Sequence, residues 1–377
     1  MLTDVFINQT ATFLPFDAVN NDEVETVLGM VGGKPSRARR VVLRSNGIES
    51  RHYAIDRTTG RVAMTNAQLT AQAVRALGEN GGVELLSCGT SSPDQLLPNH
   101  AVMVHGELKW PRLQVVSFAG ICLSGTAAIK HAWLAIKAGD VQRAVATGSE
   151  LASASLNATC FDAEVDHKVN ELEANPEIAF EKDFLRWMLS DGAGALLLEN
   201  KARGGLSLRI DWIELSSAAN ELDACMYHGA EKNEDGSLRG WRRFDTAQWG
   251  EKSIFSLKQD VRLLNENVIR ATLSEPLAAV KEKRKLRAED IDWFLPHTSS
   301  KYFAEPIAQA LAEMGLPIPR SRWFSNLASK GNTGSAAPFI MLDELFHSGR
   351  IKKGQKLLMY IPESGRFSSG FIHMEAV

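Results

Sequence analysis

A cysteine at a predicted strand-to-helix turn is the first residue in this sequence that could act as a nucleophile. Cys122 follows the aliphatic run 113–118 and precedes a helical pattern that begins at Ser124. The unsatisfied N–H groups at a helix N-terminus carry partial positive charge, which favours the reactive thiolate form of a nearby cysteine. Gly120 and Gly125 would let a substrate approach closely. An alternative interpretation is a packed core cysteine, and this is how we interpret Cys88, Cys160 and Cys225.

Two further polar residues lie where α/β proteins commonly bind ligands. His297 follows the apolar run 291–296, and ligands bind at the carboxyl ends of strands in such folds. Asn332 lies between Gly331 and Gly334, in a tight turn just before a helical pattern. Taken alone, His297 could be a hydrogen-bonded structural histidine, and Asn332 could belong to an ordinary helix-capping turn. Together with the cysteine, these weak signals need a common explanation.

The elements that must position these residues follow an alternating α/β pattern. Short β-branched or aliphatic runs predict strands, and longer helical patterns separate them, as is typical of folds with largely buried sheets. A comparable series of elements resumes after a junction at 200–205. The predicted strands are 83–87, 113–118, 143–147, 193–198, 206–215, 293–295 and 356–361, and the predicted helices are 124–138, 253–273 and 336–347.

Two long segments interrupt this alternation. Residues 161–188 are rich in charge, and residues 221–251 place tryptophans among polar residues. Long excursions of this kind are usually surface loops and often cover functional sites. We therefore predict an N-terminal half over 1–202, which carries the cysteine, and a C-terminal half over 203–377, which carries the histidine and the asparagine, each with one excursion.

Length, composition and charge exclude several classes of protein. The chain has 377 residues, of which 44% are hydrophobic and 23% charged, as is typical of soluble globular proteins. A net charge of −3 provides no overall field that would attract nucleic acid or an anionic membrane. The first residues lack the basic start and the long apolar stretch of a signal peptide, so we expect a cytoplasmic protein. No apolar run is long enough to span a bilayer.

The cysteine spacing argues against metal chemistry. The four cysteines have no CxxC pairing, and no histidine lies at zinc-finger spacing from them. Neither a disulfide framework nor a metal site is therefore expected.

The motifs together resemble the β-ketoacyl-acyl-carrier-protein synthase III family of the thiolase superfamily. The resemblance covers essentially the whole chain. The motifs that carry it occur in the family's order and approximate spacing, and they are Cys122 in its turn, the small-residue segment 191–195, the pair Pro296 and His297, and the segment 331–333, with further counterparts at 46–53 and 343–355.

This resemblance implies a thiolase fold, in which two pseudo-duplicated halves form a five-layer α-β-α-β-α arrangement, and it implies a homodimer. It also implies a catalytic set of Cys122, His297 and Asn332. Cys122 would take an acyl group from a thioester as the nucleophile of covalent catalysis. The other two residues would donate hydrogen bonds to the thioester oxygen of the second substrate while a carbanion forms. The substrates would be thioesters of carrier-protein phosphopantetheine or of coenzyme A, with no permanently bound cofactor.

Departures from the family pattern indicate a specialised branch. Residues 34–44 lack the tryptophan that stacks on coenzyme A in primary-metabolism members. The residues after His297 are altered at 298–300, and the usual C-terminal triple-glycine turn is replaced at 363–367. These differences favour a role in secondary metabolism. Within that branch, the sequence resembles the synthases of the dialkylresorcinol pathway, which join two β-ketoacyl thioesters and cyclise the product.

Candidate substrate contacts follow from the basic residues and the altered turn. The run 34–44 could attract an acidic acyl carrier protein or the phosphate of phosphopantetheine. The candidates nearest the family motifs are Arg44, Arg51, Gly365 and Phe367. A second basic run at 281–287 is at least as well explained as a solvated helix face. Because the stacking tryptophan is missing, we expect a carrier-protein thioester to be preferred to free coenzyme A.

The leading hypothesis is a condensing enzyme that forms a carbon–carbon bond between acyl thioesters through an acyl-cysteine. One alternative keeps the acyl-Cys122 intermediate and transfers the acyl group to a hydroxyl or an amine. A second alternative, from another class, is a non-catalytic partner subunit of a condensing heterodimer. Such partners usually lose the nucleophile or the histidine–asparagine pair, whereas this chain has all three residues.

Overall fold

The computed structural model describes residues 3–78, 81–161 and 184–377, which form a mixed α/β fold as the sequence predicts. The strands are β1 Phe6–Phe13, β2 Val19–Asn20, β3 Ser50–Arg51, β4 Leu85–Thr90, β5 Gln114–Ala119, β6 Arg143–Glu150, β7 Gly192–Glu199, β8 Leu208–Ser217, β9 Met226–Tyr227, β10 Ala230–Lys232, β11 Leu238–Gly240, β12 Lys258–Gln259, β13 Trp293–Pro296, β14 Lys356–Glu363 and β15 Ser368–Ala376. The helices are α1 Val24–Leu28, α2 Arg39–Asn46, α3 Asn66–Ala76, α4 His100–Leu108, α5 Ser124–Ala138, α6 Ser153–Leu156, α7 Thr246–Glu251, α8 Val261–Ile269, α9 Glu275–Arg284, α10 Ala304–Glu313, α11 Leu327–Lys330 and α12 Ala337–His347.

Within the described residues, nine strands form one sheet in the order β13-β14-β15-β8-β1-β7-β6-β4-β5. The sheet consists of two groups of strands. The first group runs from β1 to β5 in this order, and the second group runs from β13 to β8. The groups meet where Phe6 and Ile7 of β1 pair with Arg209 and Leu208 of β8.

The two groups repeat one pattern of strand directions. In the first group β4 is parallel to β6, and β7 and β1 follow as antiparallel strands. In the second group β13 is parallel to β14, and β15 and β8 follow as antiparallel strands. The counterpart of β5 is a single parallel bridge between Phe294 and Trp323. Asn332 therefore follows the counterpart of β5, just as Cys122 follows β5 itself.

Three core clusters give the fold five layers. Alternate residues of β7 and β14 face opposite sides of the strands, as the period of two requires. On one side, strands of both groups share a core with α5 and α12. On their other sides, the first group packs against α3 and α4, and the second group packs against α9 and α10. The order of layers is therefore α-β-α-β-α, as expected.

One phenylalanine of α12 packs closely against a glycine of β6 and a glycine of α5. Phe339 of α12 contacts the backbone of the first strand group. A Cβ added at Gly148 of β6 would lie 2.6 Å from the Phe339 ring, and one at Gly125 of α5 would lie 2.8 Å from it. The ring thus fills space that only glycine leaves free at these positions.

The predicted helix 253–273 is wrong at both ends. Its first residues form turns and the short strand β12, which pairs with β9. Helix α8 begins only after Asp260, whose carboxylate accepts the N–H of Leu263 at 2.9 Å. The helix then continues beyond residue 273 through a wider π turn into α9. Asp260 is a favourable N-cap residue, so the true start had a sequence signal that the apolar pattern concealed.

Candidate active site

A cavity of about 1130 Å³ lies at the ends of strands from both groups. Cys122, His297 and Asn332 all line it, so the structure brings together three residues that are far apart in the sequence. Other residues in its wall include Thr90, Ser91, Glu150, Met188, Met226, Tyr227, Trp241, Phe255, Leu264, Ile307 and Tyr360.

Cys122 lies in a turn between β5 and α5, here named the nucleophile turn, residues 120–123. The N–H groups of Ile121 and Leu123 donate to Oε2 of Glu363, each at 3.0 Å. The N–H of Cys122 itself donates to its own sulfur, which is the smallest of the influences on the pKa of this thiol. Among the described groups, the N–H of the reactive residue is thus paired only with its own side chain.

The surroundings of Cys122 oppose the expectation that a helix N-terminus favours the thiolate. Burial raises the pKa of the Cys122 thiol well above its usual value. The carboxylates of Glu363 and Glu150 raise that pKa further, because a like charge disfavours the ionised form. These effects outweigh the helix dipole, and Cys122 is therefore a thiol at neutral pH in the free protein.

His297 is held at the end of β13 by the sheet. Its backbone N–H donates to the carbonyl of Tyr360 at 2.8 Å, which continues the parallel ladder of β13 and β14. Burial lowers the pKa of the imidazole to about 4, so His297 is neutral at pH 7 and has one N–H to donate. No described side chain or backbone group is hydrogen-bonded to the ring, whose nitrogen atoms are therefore available to a ligand.

Asn332 is fixed through its backbone and through its side-chain oxygen. Its N–H donates to the carbonyl of Met188 at 2.9 Å, and its own carbonyl accepts the N–H of Ser190 at 2.9 Å. Its Oδ1 accepts the N–H of Gly334 at 3.0 Å. This leaves the side-chain NH₂, which has no acceptor among the described residues, as a hydrogen-bond donor in the cavity wall.

The residue before Asn332 must be glycine. Gly331 has a φ of 69°, and an added Cβ would lie 2.9 Å from Cβ of Ser190 and 3.0 Å from Cβ of Arg51. A side chain here would push the asparagine turn away from the cavity. The close packing and the positive φ therefore explain why glycine stands at position 331 of the sequence motif.

Two carboxylates near Cys122 were not identified from the sequence. Glu150 ends β6 and accepts hydrogen bonds from the hydroxyls of Ser91 and Ser92, at 2.5 and 2.8 Å, and from the N–H of Ser335 at 3.0 Å. Burial raises the pKa of Glu150. Glu363, the other carboxylate, lies in the altered C-terminal turn. Both glutamates follow shortly after a predicted strand, and this position was the one feature of the sequence that could have identified them.

Asp191, in the small-residue segment of the sequence motif, stabilises the wall from behind. Its carboxylate accepts the N–H groups of Ala54 and Ser153, at 2.7 and 2.9 Å, and the hydroxyl of Ser153. Burial raises the pKa of Asp191 to about 6. Asp191 thus connects β7 to α6, where Ala154 and the preceding residue Ala152 line the cavity.

The second predicted excursion, 221–251, supplies one wall of the cavity. Tyr227 and Trp241 line it, together with Phe255 just beyond the excursion. The rings of Trp241, Trp249 and Phe255 pack together with centroids 5.5 to 6.0 Å apart. Packed aromatic rings give this wall an apolar and rigid surface that suits a hydrocarbon chain.

Of the first predicted excursion, 161–188, residues 162–183 lie outside the described part of the chain. Leu185 and Trp187 are fully buried in a core cluster that also contains Ile48. Met188 lines the cavity next to them. The described end of this excursion therefore supports the active-site wall.

The structure places Arg51 inside the N-terminal half rather than in the described cavity wall. Arg51 is fully buried, and its guanidinium donates to Oδ1 of Asn21 at 2.6 Å and to the carbonyl of Trp187 at 2.7 Å. Burial lowers the pKa of Arg51. Because these hydrogen bonds go to the protein, Arg51 joins neighbouring segments and is not available to a substrate.

Gly365 and Phe367 lie behind the described cavity wall. Phe367 is fully buried in a cluster with Cys225 and Leu264. The carbonyl of Gly365 accepts the N–H of Cys225 at 2.9 Å. A Cβ at Gly365 would lie 2.9 Å from Cδ1 of Ile121, so a side chain there would press on the nucleophile turn. The predicted substrate contacts thus act as supports for the turn and for α8.

Arg44 lies on the surface, close to an element that lines the cavity. It is exposed in the last turn of α2. The hydroxyl of Ser300 donates to the carbonyl of Ser45 at 3.1 Å, which joins α2 to the segment after His297. Thr298 in that segment lines the cavity.

The second basic run, 281–287, is neutralised locally. Lys283 and Arg284 both pair with Glu214, and Arg287 pairs with Asp290 at 2.9 Å. This arrangement agrees with the interpretation of a solvated helix face.

Residues 3–78, 81–161 and 184–377 offer neither a metal site nor a membrane-spanning helix. No group of three or more His, Cys, Asp or Glu side chains in these ranges could hold a metal ion. No helix in the same ranges has the length and the apolar character to cross a membrane.

Two family models match the chain. Residues 42–203 match the model described as beta-ketoacyl synthase, N-terminal domain. Residues 282–365 match the model described as 3-oxoacyl-[acyl-carrier-protein] synthase III C terminal. The first match contains Cys122, and the second contains His297 and Asn332.

Similar proteins cover nearly the whole chain. The beta-ketoacyl-[acyl-carrier-protein] synthase III of Methylococcus capsulatus is 23% identical over 355 residues, 93% of this chain and 92% of that protein. The structure of AbyA1, a tetronic acid condensing enzyme, has a TM-score of 0.73 at 20% identity and covers 98% of this chain and 99% of that chain. Xanthomonas campestris OleA, solved with lauric acid and lauroyl-CoA, has a TM-score of 0.72 at 20% identity, with 100% of each chain covered.

These structural likenesses confirm the expected thiolase fold, with its α-β-α-β-α layers. The matched models, the relatives and the order of the motifs all agree. The chain belongs to the β-ketoacyl-acyl-carrier-protein synthase III family of the thiolase superfamily.

Proposed function

We propose that this protein joins two acyl thioesters in a Claisen condensation through an acyl-Cys122 intermediate. The observation that carries the proposal is the shared cavity wall, to which the ends of β5 and β13 and the turn after α11 contribute a thiol, a neutral imidazole and an amide NH₂ group. A non-catalytic subunit would have no need to keep all three on one cavity. The catalytic roles of Cys122, His297 and Asn332 are part of this proposal.

In the first half-reaction, the sulfur of Cys122 attacks the carbonyl carbon of an acyl thioester. A new C–S bond forms, the C–S bond of the donor breaks, and the thiol proton ends on the departing thiol. The carbonyl oxygen becomes negative in the tetrahedral intermediate. The N–H of Cys122, whose acceptor in the free protein is its own sulfur, can stabilise that charge.

In the second half-reaction, another acyl thioester becomes a carbanion, by loss of carbon dioxide or of a proton from C2. The charge of the carbanion spreads onto its thioester oxygen. His297 and Asn332 donate hydrogen bonds to this oxygen, and a buried, fixed donor stabilises such charge more than water does. The carbanion attacks the acyl carbon, the C–C bond forms, and the sulfur of Cys122 leaves and takes up a proton.

The size and lining of the cavity favour long acyl chains. Its volume of about 1130 Å³ exceeds the range of about 300 to 1,000 Å³ that is usual for small-molecule sites. Aromatic and aliphatic residues from 221–251, α8 and α10 form much of its wall. This supports a substrate pair with two hydrocarbon chains, as in the condensation of two β-ketoacyl thioesters of the dialkylresorcinol pathway.

The surface of α2 supports delivery of the acyl group by a carrier protein. Arg40 and Arg44 are four residues apart and therefore lie on one face of the helix. Both are exposed, and neither forms an ion pair with a described residue. An acidic acyl carrier protein fits such a surface better than the adenine ring of coenzyme A does.

We also propose that β5 of a second copy covers the edge of the sheet, which makes the protein a homodimer. β5 is an edge strand, and its apolar residues Val115, Val116 and Phe118 are only partly buried. Unpaired strand edges favour pairing with another chain. Light scattering should give twice the chain mass, and Ser117→Pro, which removes an edge N–H, should give the single chain mass.

Intact-protein mass spectrometry with product analysis tests the proposed function. Incubation with a panel of acyl thioesters should add one acyl mass to the wild type and none to a Cys122→Ala variant. A second thioester should then release a product with a new C–C bond. An adduct whose acyl group moves to a hydroxyl or an amine instead would favour the alternative acyltransferase. An adduct equally present in Cys122→Ala would contradict the proposal.

A further inference from the structure

A carboxylate from the C-terminal half is bound at the nucleophile turn. Oε2 of Glu363, the last residue of β14, accepts the N–H of Ile121 and the N–H of Leu123, each at 3.0 Å. These two residues flank Cys122 and are separated from Glu363 by 242 and 240 positions in the chain. The contact therefore connects the two halves of the protein at the nucleophile itself.

This contact satisfies the outer two of three successive N–H groups. The middle group, on Cys122, donates to the sulfur of the same residue. A carboxylate that holds both neighbours limits the conformations of the turn, because two charge-assisted hydrogen bonds share one oxygen. Glu363 thereby fixes the backbone on both sides of Cys122.

Negative charge near Cys122 comes mainly from Glu363. After burial, Glu363 is the larger of two carboxylate influences that raise the pKa of the Cys122 thiol, and Glu150 is the smaller. Glu150 is hydrogen-bonded to Ser91, Ser92 and Ser335 instead of the nucleophile turn. The titratable side chains in the described cavity wall besides Cys122 are Asp94, Glu150, Tyr227, His228, His297 and Tyr360.

We infer that Glu363 is a positioning residue with two effects on Cys122. It holds the nucleophile turn through the N–H groups on either side of Cys122, and its negative charge makes the Cys122 sulfur a poor leaving group. As a result, acyl-Cys122 survives in water until the second substrate arrives. This inference rests on the acyl-cysteine chemistry proposed above.

The chemistry of the competing reaction explains the second effect. In hydrolysis, water adds to the acyl carbon, the C–S bond breaks, the free acid leaves, and the Cys122 sulfur takes up a proton. A more basic thiolate leaves more slowly. A negative charge beside the acyl group also repels hydroxide. The carbanion of the second substrate is a much stronger nucleophile than water, so the same charge slows condensation less than hydrolysis.

The substitution Glu363→Gln tests this inference, because it keeps the size and one acceptor oxygen and removes the charge. The first measurement is the alkylation rate of Cys122 by iodoacetamide as a function of pH, in a Cys160→Ala background because Cys160 is exposed. We expect the midpoint of the pH profile to fall by about 0.5 to 1, which makes alkylation about 3-fold to 10-fold faster below the midpoint.

The second measurement is the hydrolysis of purified acyl-enzyme, followed by intact-protein mass spectrometry without a second substrate. We expect acyl-Cys122 to hydrolyse about 3-fold to 10-fold faster in Glu363→Gln than in the wild type. An unchanged pH profile, or hydrolysis that is unchanged or slower, would overturn the inference.

Two further variants serve as controls. Glu150→Gln removes the carboxylate with the smaller influence and should shift the alkylation profile less than Glu363→Gln does. Glu363→Asp keeps the charge in a shorter side chain and should alkylate more like the wild type, which also covers the case that Glu363→Gln does not fold. The alkylation measurement needs no acyl substrate. If the wild type is never acylated, the proposed function fails. The alkylation measurement would still show whether Glu363 raises the pKa of the Cys122 thiol.

Discussion

The two sides of the active site differ in their electrostatics. Burial and the carboxylates of Glu363 and Glu150 raise the pKa of Cys122, so this side holds a protonated thiol among negative charges. Burial alone lowers the pKa of His297 to about 4, and this side, with Asn332, offers neutral hydrogen-bond donors. The cavity therefore separates two steps of the proposed reaction. One side carries the acyl group, and the other stabilises a new negative charge.

The largest expected effect comes from removal of the thiol. Cys122→Ala should abolish acylation and condensation, because the proposed intermediate is an acyl group bound to the sulfur of Cys122. Intact-protein mass spectrometry after incubation with an acyl thioester measures the adduct. Cys160→Ala, which removes an exposed thiol outside the cavity wall, is the matched control and should be acylated like the wild type.

A change on the neutral side should separate the two half-reactions. Asn332→Ala should still acquire an acyl group on Cys122, whereas condensation should fall by about a hundredfold or more, because one donor to the developing charge is lost. Single-turnover acylation and steady-state product formation measure the two steps. Asn326→Ala, at a nearby asparagine that does not line the described cavity, should leave both unchanged. Equal losses of acylation and condensation in folded Asn332→Ala would remove the distinction between the sides.

Buried histidines should make the protein less stable in acid. The fold lowers the pKa of His297 and that of His100 to about 4 from the usual 6.5, so the unfolded chain binds more protons between these values. Stability is therefore lost as the pH falls from 6.5 towards 4, by about 2 kcal/mol for each histidine between pH 7 and pH 5.

Urea unfolding at pH 7 and at pH 5 measures this decrease in the free energy of unfolding. His297→Gln and His100→Gln should each make the decrease smaller by the contribution of one histidine. His100 is hydrogen-bonded to Thr70 and Ser149 and is absent from the described cavity wall, so only the His297 variant should lose condensation. A pH dependence like that of the wild type in both variants would contradict the assigned burial effect.

The smallest expected effect concerns the approach of the substrate. Arg44→Ala should lower kcat/KM for a carrier-protein thioester by about 2-fold to 5-fold, because an exposed charge pair contributes at most about 1 kcal/mol. The same acyl group on coenzyme A should be affected less. Added salt should narrow the difference between the two donors, since it screens exposed charges. Arg262→Ala, at an arginine paired with Glu266, is the control. If the wild type prefers the coenzyme A thioester and Arg44→Ala has the same preference, the carrier protein does not dock at α2.

Local patterns in the sequence predicted an α/β fold and placed three polar residues at the ends of predicted elements, whereas the thiolase fold and the catalytic set followed from the resemblance to a known family. Cys122 and Asn332 each lie in a small-residue turn before a helix, and His297 ends an apolar strand. The structure places all three on one cavity. The repeated strand order explains this, since equivalent turns of a duplicated fold meet at the same end of the sheets.

The charge around Cys122 could not be predicted in the same way. Glu363 reaches the nucleophile turn from 240 residues away, and no local pattern indicates such a hydrogen bond. The expected thiolate was wrong because a helix N-terminus was considered without burial and without the carboxylates. We predicted that Arg51 contacts the substrate because a cation near a family motif could bind the phosphate of phosphopantetheine. Its burial follows from distant contacts with Asn21 and Trp187.

The packing of Phe339 against Gly125 and Gly148 has a consequence for protein engineering. The ring belongs to one half of the chain and the glycines belong to the other, with an added Cβ at Gly148 only 2.6 Å from the ring. A chimera that takes its two halves from different relatives would have to inherit this phenylalanine and its glycines from the same parent. Otherwise a bulky residue would meet a bulky residue, and the turns that carry Cys122 and Asn332 would be forced apart. Recombination in this scaffold is thus constrained at the contact between the central helices.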